Sequence, residues 1–175
     1  MTHREHSTPA TARDRAAAEH RAVVIGIGNE YRGDDGIGPL VAARLDRLEL
    51  PGVLVAVCDG EPGNLLDLWE GADLAVVVDA VLCRPSTPGR IRRTTADALR
   101  GVTAAASSHT LGVPDAVRLG RALGRLPREL VVIAVEAARL DLGTELSEPV
   151  AAAIPEILRA VQDELARVRT RADPP

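Results

Sequence analysis

The sequence predicts an α/β protein: a three-layer α/β/α arrangement with a mostly parallel, twisted sheet and one antiparallel edge strand. Three observations carry this prediction. Short, continuously apolar runs at 22–27, 53–58, 74–78 and 130–135 read as strands buried on both faces. Amphipathic segments separate the first three runs, and strand–helix–strand order in so few residues requires parallel strands with right-handed crossovers. The core materials are aliphatic, since the chain is 46% hydrophobic yet has no Phe, one Trp and one Tyr. Val, Leu, Ile and Ala suit buried parallel strands better than an aromatic-rich sandwich.

Each element has its own signal. After the first strand, a helix is expected from about 36 to 48, with Leu40, Val41, Leu45 and Leu48 on one stripe and Pro51-Gly52 ending it. The strand 53–58 stops at Asp59-Gly60, and Pro62-Gly63-Asn64 opens a short helix through Trp69. The run 74–78 is a strand closed by Asp79. Pro85 and Pro88 mark a loop, and 89–95 alternates like a short antiparallel edge strand. Residues 96–106 read as a turn of helix and a loop. A helix follows over about 113–123, with Pro114 in its first turn. The strand 130–135 is closed by Glu136. Ser147-Glu148-Pro149 then opens a long C-terminal helix, in which Pro155 is expected to force a kink or a restart. Residues 1–20 are polar and read as a disordered tail, which leaves 21–170 as one domain.

Composition narrows the function. The chain has 175 residues and a formal net charge of -4, which gives no reason to expect nucleic acid as a partner. All 21 basic residues are Arg, so no Walker lysine exists. No apolar run approaches the roughly 20 residues that span a bilayer, so no membrane partner is expected. Cys58 and Cys83 read as free thiols in a reducing compartment, and a cytoplasmic location is expected.

The chemistry centres on residues 22–38, AVVIGIGNEYRGDDGIG. Adjacent carboxylates, here Asp34 and Asp35, are costly to bring together because like charges repel, which points to a cation, a shared proton or an exposed loop. Asp34 is also placed to cap the following helix. The glycine spacing does not fit the GxGxxG dinucleotide pattern. In an open parallel sheet, ligands bind beyond the carboxyl ends of the strands. That edge receives Asp34 and Asp35 after the first strand, Asp59 after the second and Asp79 after the third. His109 enters a helix beyond it and is the single histidine outside the polar tail. Asp59 reads as a turn residue. An Asp of the first loop (Asp34 or Asp35), a second Asp and His109 would make a mixed oxygen and nitrogen set that suits a divalent transition ion. Ser107 or Ser108 beside His109 offers no G-x-S-x-G elbow, so a serine triad is not supported.

GIGNEYRGDDGIGP, Asp79 behind an apolar run, SSHTLG around His109, and VVIAVEAARLDLGTELSEPV together resemble the hydrogenase maturation proteases. The resemblance runs from about Val23 to Leu165. It implies an endopeptidase that removes a C-terminal extension from a nickel–iron hydrogenase large-subunit precursor after nickel insertion. It further implies that Asp35, Asp79 and His109 contact nickel carried by that precursor, so that no metal is permanently bound. Many family members have Glu where Asp35 stands. Gly28, Asn29, Asp34 and Glu136 match supporting positions. The residues alone leave two other readings open: a hydrolase of a small substrate with a resident divalent metal, and a non-catalytic factor that checks nickel during assembly.

Overall fold

The computed structural model describes residues 22–101 and 112–172. The expected N-terminal tail and the Ser107-Ser108-His109 element lie outside them. Five strands, β1 (Ala22–Ile27), β2 (Val53–Cys58), β3 (Leu74–Val81), β4 (Ile91–Thr95) and β5 (Glu129–Glu136), form one sheet in the order β2-β1-β3-β5-β4. β1 runs parallel to β2 and β3, and β3 parallel to β5, while β4 closes the edge antiparallel to β5. The helices are α1 (Ile37–Asp46), α2 (Pro62–Trp69), α3 (Gly112–Leu123) and α4 (Glu148–Ala172).

The strands alternate between two cores. Val24, Val76, Val78, Ile133 and Val135 face Ile37, Val41 and Leu45 of α1 and Val150, Ile157 and Val161 of α4. Val23, Ile25, Ala75, Val77 and Val132 face Leu65, Leu66 and Trp69 of α2 and Val113 and Val117 of α3. Period-two side-chain alternation therefore fills both faces from one strand, which explains the unbroken apolar runs. The Trp69 indole nitrogen donates to the Arg125 carbonyl at 3.1 Å, so the lone tryptophan is buried with its polar atom satisfied.

Two expectations are corrected. β3 continues to Val81, so Asp79 lies within the strand rather than beyond its end. Pairing explains the extension: Asp79, Ala80 and Val81 sit opposite Ala134, Val135 and Glu136 of β5. α4 runs through Pro155 as one helix, so of the two outcomes expected there the restart is overturned. Its neighbours Ile154 and Ile157 are buried against the sheet, and that packing offsets a lost backbone hydrogen bond.

The order β2-β1-β3 puts a topological switch between β1 and β3, where connections leave to opposite faces and open a crevice at the carboxyl edge. α1 begins against that crevice at van der Waals limits. A Cβ on Gly38 would stand 2.7 Å from the Val78 carbonyl oxygen, and one on Gly26 would stand 3.0 Å from the Ala42 Cβ. These glycines serve close backbone packing, not phosphate binding. Gly38→Ala is expected to destabilise the protein by about 2 kcal/mol or more, because backbone on both sides must move. A urea denaturation midpoint within error of wild type would refute this packing constraint.

Candidate functional site

The chain leaves β1 through a tight turn. Gly28 adopts φ +135, and a Cβ there would overlap the Asp35 carbonyl and sit 3.3 Å from its Cγ. The Asn29 backbone N–H donates to Asp35 Oδ2 at 2.9 Å, and the Tyr31 N–H donates to Asn29 Oδ1 at 2.9 Å. Gly33–Gly36 then forms a 3-10 turn with both aspartates buried, which removes the exposed-loop reading.

The two carboxylates face different partners. Asp34 accepts from the backbone N–H groups of Ala138, Arg139 and Ser147 at 2.8, 3.2 and 2.6 Å, and from the Ser147 hydroxyl at 2.9 Å. It therefore ties the loop after β1 to the loop after β5. It does not cap α1, whose N-cap position is Gly36 and which has no side-chain cap. Three backbone donors compensate the burial of its charge. Ser147 is the partner that sequence reasoning missed. It stood out as a helix-start residue, and nothing local shows that it would meet a carboxylate 113 positions away.

Asp35 and Asp79 are the pair the fold brings to the crevice. Asp79 is only 5% exposed and Asp35 9%. In the β1–β3 register, Gly26 lies opposite Val78, so Asp79 comes one position further toward the carboxyl edge. Burial pushes the Asp79 carboxyl up to about 8, the Asp35 charge adds to the rise, and a hydrogen bond with the Ala80 backbone opposes it. A carboxyl of this kind holds a proton near neutrality and releases it when a cation arrives. The third predicted member, His109, lies outside the described residues, and among the described residues no group of three metal-ligating side chains is assembled. Gly112, three positions after His109 in sequence, packs at the Gly60 carbonyl just past β2, so α3 begins at the same edge of the sheet.

Glu136 is fully buried and turns to the loop before β4. It accepts from Thr87 N–H at 2.7 Å and from Arg92 Nε at 2.6 Å. The Thr87 hydrogen bond first, and the Arg92 pairing second, hold its carboxyl below the ordinary range. Its role is to pin that loop. Asp59 is exposed and accepts from Glu61 N–H at 3.1 Å, the turn role expected of it. Cys58 and Cys83 are free and half-buried.

Residues 39–164 match the model of the hydrogenase maturation protease family. The chain belongs to that family. As a hydrogenase maturation protease it is a peptidase. It is 31% identical over 140 residues to the hydrogenase expression/formation protein HupD of Bradyrhizobium diazoefficiens, covering 77% of this chain and 72% of that one. It is 26% identical over 144 residues to the hydrogenase 2 maturation protease of Escherichia coli, covering 81% and 88%. Among solved structures, the [NiFe] hydrogenase maturation protease HybD from Thermococcus kodakarensis superposes with a TM-score of 0.65 at 26% identity, over 82% of this chain and 97% of that one. The hydrogenase maturating endopeptidase HybD from E. coli shares the fold, with a TM-score of 0.70 at 23% identity over 85% and 93%. The fold on which Asp35 and Asp79 sit is thus similar to that of these solved maturation proteases.

Two outcomes follow from this electrostatic arrangement. Asp34→Ala is expected to cost about 3 kcal/mol, because three backbone donors lose their acceptor, and chemical denaturation reads it. For Asp79 the folded pKa is raised, so the folded state binds the extra proton and stability falls as pH rises from about 4 to about 8. Asp79→Asn is therefore expected to melt well above wild type at about pH 9, by on the order of a few kcal/mol, and close to it at about pH 5. A gap independent of pH would contradict a desolvated carboxyl.

Proposed function

We propose that this chain removes a C-terminal extension from a nickel–iron hydrogenase large-subunit precursor, and that nickel carried by the precursor is what it recognises. The observation that supports this most is the buried Asp79 carboxyl beside Asp35 at the switch point of a maturation-protease fold. A proton-holding carboxyl pair is suited to a cation that arrives with the substrate. Asp35 and Asp79 supply oxygen ligands and His109 supplies nitrogen, a mixed set appropriate to a divalent transition ion. Asp35 is held in place by the Asn29 N–H and the Gly28 turn.

In this reading the precursor brings its metal against Asp79, which gives up its proton on contact. The ionised carboxylate is then available to accept a proton from the water that attacks the peptide bond. Residues 21–170 act as one catalytic domain. The two free thiols support a reducing, cytoplasmic setting. No helix among the described residues is long and apolar enough to cross a membrane.

Incubation with nickel-loaded precursor should shorten it at the C-terminus by mass spectrometry. Asp79→Ala and His109→Ala should abolish that loss, while Asp35→Glu should keep much of it. An uncut precursor under conditions that show binding would sink the proposal. Affinity for the nickel-loaded precursor should also rise with pH and level off above about 8, since the metal competes with the Asp79 proton. In buffers of different ionisation enthalpy, calorimetry should show proton release below that pH and none above it.

A further inference from the structure

Beside the acidic loop lies a hollow of about 280 Å³ between that loop, α1 and the loop after β5. Its walls include Tyr31, Pro39, Leu40, Ala43, Thr144 and Leu146. Gly36, which directly follows Asp35, also lines it, so the hollow is the next surface along from the carboxylate. One of its walls is a large apolar side chain in water, Tyr31 at 62% exposure.

The rim is held firmly. The Gly143 N–H donates to the Tyr31 carbonyl at 3.0 Å, and the Gly33 N–H donates to the Gly143 carbonyl at 2.6 Å. Arg32 and Gly143 form a parallel bridge between the same two segments. The four hydrogen bonds of Asp34 fasten the 138–147 loop to the residue next to Asp35. The hollow and the carboxylate therefore move as one unit. A solvent-facing Tyr31 at the wall of an apolar recess marks a place where something apolar docks.

We propose that this hollow is a specificity subsite that takes one large apolar side chain of the polypeptide substrate, next to the bond that is cut. The proposal rests on the proteolytic reading above. The volume suits a side chain, being below the usual range for whole small-molecule ligands. Contact with Gly36 makes the recess continuous with the site, so a polypeptide lying across Asp35 passes over it. Glu30, the one charged lining residue, disfavours an acidic occupant.

The test uses the full chain, nickel-loaded precursor and two variants. The change Tyr31→Ser strips the rim, and Ala43→Leu fills the recess from an exposed helix position. Thermal melting should show both folded. Both should bind the precursor about tenfold more weakly and raise KM with little change in kcat. Placing Asp at successive precursor positions around the cut should reveal one position whose penalty is large for wild type and small for the rim variant. Unchanged binding in both folded variants would overturn the subsite while leaving cleavage and its Asp79 dependence intact. Should wild type bind the precursor without cutting it, the proteolytic reading falls, and the variants' binding still decides the subsite. If wild type sediments as a dimer and the rim variant as a monomer, the occupant is a second copy of this chain and the proposal is wrong.

Discussion

The arrangement at the carboxyl edge depends on one buried carboxylate. Asp34 gathers three backbone N–H groups and a hydroxyl from the chain after β5 and binds them to the loop after β1. A buried carboxyl group there is tolerable because those donors converge on it. The cluster works with the 3-10 turn that carries Asp34 and with the Arg32–Gly143 bridge, which tie the same two loops through the backbone. The apolar hollow beside α1 lies between the loops so joined.

The tie explains how two aspartates can stand side by side. Asp34 turns inward and spends its charge on architecture. Asp35 takes one backbone N–H, from Asn29, and stays close enough to Asp79 to raise its pKa. Adjacent residues in a 3-10 turn point in different directions, so the sequence neighbours are not electrostatic partners in the sense that Asp35 and Asp79 are. The cost of like charges falls on a pair far apart in sequence and close across the β1–β3 switch. Under the proposed function, a carboxyl placed there is suited to giving up its proton when a cation arrives with the substrate.

Glu136 shows the same division at the other side of the sheet. Its place at the end of β5 looks like that of a site residue, yet its carboxylate is satisfied by Thr87 and Arg92. Its charge closes the loop before β4, where the antiparallel edge strand begins. The glycines of the first motif likewise serve packing: they let α1 touch the backbone of β1 and β3 and so bring the 3-10 turn over the crevice.

Much of the architecture was legible in the chain. Continuous aliphatic runs and intervening amphipathic stretches specified the strands, most helices and the parallel sheet, because burial on two faces leaves a local composition signal. The GDDG loop stood out by its adjacent carboxylates, and His109 as the single histidine outside the polar tail, so both were candidates on residue type alone. What local pattern could not state was the partner of each polar group. The length of β3 past Asp79 was decided by pairing with β5, and the unbroken course of α4 past Pro155 by packing on the sheet. Which aspartate was structural and which was poised was decided by Ser147 and Asp79, residues brought in from distant parts of the chain. Sequence determined where the charged groups stand along the chain. Only the tertiary fold decided which were satisfied, because hydrogen bonds and desolvation act across space.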